Sequence, residues 1–189
     1  MFANEEESIY ILSCCSRDSK LLLACFARVF RLFLHFVVYG LSMKVSVYNG
    51  LTVAVLVSEQ EHCPPHVHVE HDGWDARFIF SFLHGDVELW AFDPSEKMPP
   101  KGLTEKLRQH IEIPGNLKKA RETWLKAHGA GKLQICLNNK YWDPVNLVEV
   151  DGGNATNGMY QIQKAVFDSN KCLTTLTFIG GQEPVGIQL

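Results

Sequence analysis

The residues best suited to chemistry lie in one short run, Glu61-His62-Cys63-Pro64-Pro65-His66-Val67-His68-Val69-Glu70-His71, which holds four of the chain's eight histidines. Side chains alternate along an extended strand, so His66, His68 and Glu70 share one face while Val67, Val69 and His71 share the other. The two valines belong against a core, so His66 and His68 can form a site only if their own face is open to solvent. Both imidazoles then reach a single ion or phosphate. Pro64-Pro65 holds the approach to this strand extended and keeps His62 near its mouth.

Three roles fit this pattern. His62, His66 and His68 make a three-histidine set for a divalent metal such as zinc, with a fourth position left for water. His66 and His68 are also the candidate catalytic pair for acid/base cleavage of a phosphodiester, since an ordinary imidazole changes charge near neutral pH. In the third role the imidazoles are structural, bonded to backbone carbonyls and to Glu61 or Glu70. A short His-x-His is common in strands, and no distant ligands complete the pattern.

A second feature is basic. From Lys97 to Lys132 there are nine Lys or Arg residues against Glu105, Glu112 and Glu122. Lys118, Lys119 and Arg121 within it are candidate contacts for RNA or for an acidic protein surface, although solvated helix faces are often lysine-rich. Trp90 and Trp124 fall on apolar periods and are expected in the core.

The elements that must position these residues follow from hydrophobic period. Lys44–Tyr48, Leu51–Ser58, His66–His71, Ala76–Leu83 and Val87–Phe92 alternate and are separated by turn signals such as Asn49-Gly50 and His84-Gly85. They predict a meander of about five strands. Leu103, Leu107 and Ile111 change the period to that of a helix, Pro114-Gly115 interrupts it, and Asn116 is the expected cap of a second helix carrying Leu117, Ala120, Trp124 and Leu125. Gly129 and Gly131 should end that helix. Strands are then expected at 133–137, 145–150, 160–167 and 173–179.

The first 42 residues read differently. They hold an acidic start and an apolar run, Leu21–Tyr39, in which Arg28, Arg31 and His35 form one polar stripe at helical spacing. That composition lacks the features of a secretory signal and disfavours a stable membrane span, suiting an interfacial or packed helix. Patterning typical of a folded domain begins at Met43, a candidate natural start. The expected organisation is therefore an apolar extension at 1–42, an α+β domain at 43–132 with an antiparallel meander packed by two helices, and a β-rich extension at 133–189.

Composition narrows the function classes. A formal net charge of −3 excludes a globally basic nucleic-acid binder, and 46% hydrophobic residues exclude a disordered chain. Six cysteines without repeated spacing suggest neither a disulfide scaffold nor a cysteine zinc site, and fit a reducing cytoplasm.

The order His62-x-Pro64-Pro65-His66-x-His68-Val69, then a turn at Gly73, Ala76-Arg77-Phe78, Val87-Glu88-Leu89 and a helical Leu117–Trp124, resembles the bacterial domain-of-unknown-function 4160 family over about residues 51–128. The resemblance implies a small cytoplasmic protein associated with toxin-antitoxin pairs and aligns these five His and Pro residues with the family's hallmark, but assigns no catalytic roles. It points to an interaction module with a cognate protein partner, or with RNA. The binding residues expected are His62, His66, His68, Glu70, Lys118, Lys119 and Arg121. A small metal-dependent or histidine acid/base phosphodiesterase is the alternative.

Overall fold

The computed structural model describes residues 41–57, 63–71, 73–94 and 99–189. The Leu21–Tyr39 run with Arg28, Arg31 and His35, together with Glu61, His62 and Lys97, lies outside them.

Alternation from Leu41 to Asp93 folds into a five-stranded antiparallel meander: β1 (Leu41–Tyr48), β2 (Leu51–Val57), β3 (His66–His71), β4 (Trp74–Phe80) and β5 (Val87–Asp93), paired in chain order. The β1–β2 turn is Asn49-Gly50, both at positive φ (47° and 84°), the hairpin geometry that suits the twist of the flanking strands. One face of this sheet is largely apolar, with Val53, Val67, Val69, Ala76 and Phe78 fully buried.

Two helices cover that face. α1 (Lys101–Glu112) buries Leu107 and Ile111, and α2 (Pro114–Cys136) buries Leu117, Ala120 and Trp124. α2 packs against β1 and β2, and α1 against β5. α2 starts one turn earlier than the Asn116 cap predicts: Ile113 is its N-cap and Pro114 opens it, because proline's fixed φ suits a first helical turn and its missing N–H costs nothing there. Asn116 Nδ2 instead donates to the His110 carbonyl at 2.7 Å, closing the break between the helices.

Gly129, at φ 78° and ψ 165°, interrupts α2 but does not end it. The chain re-enters helix, so residues 133–136 are helical, with Leu137 as the C-cap, where a strand is predicted. Leu133 and Leu137 are buried and four apart, a spacing a helix satisfies as well as a short strand.

The remaining residues form a second antiparallel sheet, in the order β10-β9-β8-β6-β7: β6 (Lys140–Asp143), β7 (Val148–Asp151), β8 (Tyr160–Asp168), β9 (Leu173–Phe178) and β10 (Val185–Gln188). β6 and β10 have four residues each, too short to show a period in the sequence. Residues 133–189, which read as an extension, share one core with the meander: Trp142, Ile162, Leu176 and Phe178 join the same buried cluster. Phe82 links the layers, with its ring 5.8 Å from Trp124 and 5.5 Å from Phe167, and its carbonyl accepts a hydrogen bond from Thr174 Oγ1. The fold is α+β. Among the described residues no helix is long and apolar enough to cross a membrane.

Cys63 and Cys136 form a disulfide. The cysteine spacing gave no sign of this bridge, and a disulfide stands against the reducing setting that the spacing suggested. The two are 73 positions apart, and only the packing of the α2 end against the approach to β3 brings them together.

Candidate functional site

β3 places His66 and His68 on one face and Val67 and Val69 on the other, as period two requires. The core face behaves as predicted, with both valines at 0% exposure. The histidine face lacks the solvent access that a site there requires: His66 and His68 are 2% and 3% exposed, so the strand is buried on both sides. Glu70, further along the same face, is half-buried.

Each imidazole is oriented through Nδ1. His66 Nδ1 donates to the Pro64 carbonyl at 2.9 Å, and His68 Nδ1 lies 3.1 Å from both carboxylate oxygens of Asp75. Arg77 Nε donates to the same carboxylate at 3.1 Å, so one aspartate joins a histidine and an arginine across β3 and β4. The two rings are 4.9 Å apart. Nδ1 donors to a carbonyl and a carboxylate place the lone pair of each neutral ring on Nε2, the orientation seen when imidazoles ligate metals. Among the described residues no group of three or more His, Cys, Asp or Glu side chains is placed to hold a metal ion. A three-histidine set would need His62.

Trp90 is not in the core. Arg77 opposes Ala91 and Phe78 opposes Leu89, which leaves Trp90 as the extra residue of a β-bulge, turned onto the histidine face. It is 40% exposed and meets His66 edge-on at 5.2 Å.

The basic candidates are not brought together. Arg121 is 3% exposed and points inward, donating from Nε to the Ser81 carbonyl (2.8 Å) and from Nη2 to the His84 carbonyl (2.7 Å). Desolvation lowers its pKa to about 10. It clamps the β4–β5 loop and offers nothing to RNA. Lys118 lies 3.9 Å from Glu122 on the same helix, and Lys119 is exposed. Arg108 is held by Glu105 and Glu112, which removes another charge from the basic segment.

A feature absent from the sequence reading is a cleft of about 220 Å³ where the β4–β5 loop meets β6, β7 and the α2 end. Pro64 and Pro65 of the histidine motif line it, with Phe80, Phe82, Leu133 and Leu137 forming an apolar floor and His84, Asp86, Glu88, Lys140 and Glu149 carrying polar groups. Cys136 lines it too, so the disulfide borders the cleft. His84-Gly85-Asp86 reads in sequence as a turn signal only, and Lys140 comes from a strand of four residues that the sequence does not show, while Glu149 falls within the strand expected at 145–150. Proximity in the sequence carried no hint of this assembly.

No family model, curated protein or solved structure matches the chain.

Proposed function

We propose that the chain is a partner-binding module of a bacterial toxin-antitoxin-like pair, not an enzyme working through His66 and His68. The burial of these two histidines carries this reading, because an acid/base pair must reach the phosphodiester it cleaves. The resemblance of the His62–Val69 motif to the domain-of-unknown-function 4160 family supports the same class. In this reading Pro64-Pro65 and the neighbouring cleft, rather than the histidines, face the partner, and the imidazoles stiffen the strand behind them.

The test is co-expression with the product of the adjacent gene. A stoichiometric complex on size exclusion, weakened by substitution in the cleft at unchanged melting temperature, is the expected result. Cleavage of RNA by the chain alone, lost in His66→Gln at unchanged stability, overturns it.

The Nδ1-bonded orientation of His66 and His68 favours a second reading, in which these rings and His62 hold a divalent metal such as zinc. Elemental analysis of purified protein checks it. Stoichiometric metal that is absent from His68→Ala supports this reading, and metal-free wild type ends it.

A cytoplasmic setting belongs to the first reading, and disulfides are exceptional there. Alkylation of thiols at the moment of lysis tests the location: Cys63 and Cys136 should be found reduced in the cell and pair on exposure to air. A pair already oxidised in the cell argues for an oxidising compartment.

A further inference from the structure

The cleft is flanked by two edge strands, β5 at the end of the first sheet and β7 at the end of the second. Glu88 is on β5 and Glu149 is on β7, and both line the cleft. An edge strand presents backbone donors and acceptors that no neighbouring strand uses, a template for an added extended segment; on β5 the first of them, the Val87 N–H, is already taken by Glu112 Oε1 at 3.2 Å.

The charges of the cleft are unequal. Among the described residues Lys140 is its one Lys or Arg, and that ammonium is already 3.7 Å from Glu149 and 2.7 Å from Asp151. Asp86 and Glu88 are exposed, and among the described residues neither has a lysine or arginine within ion-pair distance; Asp86 has only His84 beside it, at 3.3 Å. Arg121 lies behind the loop, held by two carbonyls, and does not line the cleft. The rim therefore carries two carboxylates with no lysine or arginine beside them, above an apolar floor.

A volume of about 220 Å³ is below the roughly 300–1,000 Å³ of small-molecule sites and suits a single long side chain. The side chains with an apolar stem and a charged head opposite to this rim are arginine and lysine.

We infer that the cleft takes a cationic side chain, arginine or lysine, from an extended segment of the partner protein, with the stem on Phe80 and Leu137 and the head between Asp86 and Glu88. This rests on the partner-binding reading and names the chemistry of that partner. The segment's backbone lies along an edge strand, and the cleft supplies specificity.

The test uses the full chain, isotopically labelled, with an acetylated and amidated pentapeptide Thr-Val-Arg-Val-Thr as probe. Peptides with Gln or Leu at the centre, and free arginine, are the comparisons. Saturable shifts of amide resonances at 86–88 and 148–151, weakened about tenfold or more by Glu88→Lys or by the Gln peptide, are expected. Glu88 is exposed, so this variant should keep the wild-type melt. Absence of saturable shifts, equal response to the Gln or Leu peptide, or free arginine binding as tightly as the peptide overturns the inference. A partner complex that survives Glu88→Lys unchanged also overturns it while leaving the module reading intact. Failure of the wild-type chain to form any complex strikes the module reading itself.

Discussion

Arg121 Nη2 donates to the carbonyl of His84 at 2.7 Å, tying the middle of α2 to the tip of the β4–β5 loop, 37 positions earlier in the chain. The same guanidinium donates to Ser81, so one buried cation satisfies two loop carbonyls. The loop that carries Asp86 and leads into Glu88 on β5 is thus held from behind by a helix residue.

Removing this clamp leaves both carbonyls without their donor. Arg121→Ala should destabilise the fold by about 2 to 4 kcal/mol in denaturant unfolding. Arg121→Lys should recover only part of that, since an ammonium lacks the planar fork that meets two carbonyls at once. A wild-type midpoint for Arg121→Ala would show that the clamp is dispensable.

The histidine pair is buried, so its removal should be felt in stability. His66→Ala with His68→Ala empties a packed face and takes the imidazole donor from Asp75. The expected cost is about 2 to 5 kcal/mol, well above that of a surface change. Thermal and urea melts measure it; a loss of only a few tenths of a kcal/mol would mean the face is open in solution.

The Cys63–Cys136 bridge closes a loop with a separation of 73 residues. A chain-entropy estimate for such a loop gives about 4 kcal/mol of stabilisation. Reduction with a thiol, or Cys63→Ala with Cys136→Ala, should lower the denaturation midpoint accordingly. Mass spectrometry with and without reductant verifies the pairing, and equal midpoints for oxidised and reduced protein would contradict the estimate.

Asp143 is expected to make the fold acid-sensitive. The Asn146 side chain, then the backbone N–H groups of Asn146 and Val145, hold its carboxylate below the ordinary value of 3.8, against the opposing effect of burial. A carboxyl with a lowered folded pKa stabilises fully above its ordinary value and loses that contribution as pH falls through the folded value. The gap in Tm between wild type and Asp143→Asn should be constant above 3.8 and close below it. A gap that persists into stronger acid would assign the effect to packing.

Alternation and turn chemistry are local, and residues that depend on them were legible. β3 runs from His66 to His71 as its pattern predicts, Asn49-Gly50 makes the first hairpin, and Val67 and Val69 enter the core. Period two determined which residues share a face with His66. It did not determine what lies over that face, since burial depends on groups brought from elsewhere, such as Trp90 through a bulge in β5. Leu133 and Leu137 show the same ambiguity, because two apolar residues four apart suit either element until the rest of the fold chooses. Arg121 reads as a surface charge by type and turns inward because two loop carbonyls need donors there. The disulfide and the cleft depend wholly on tertiary structure. Cys63 meets Cys136, and Glu88 meets Glu149 across one cleft, through packing of segments that share no local pattern.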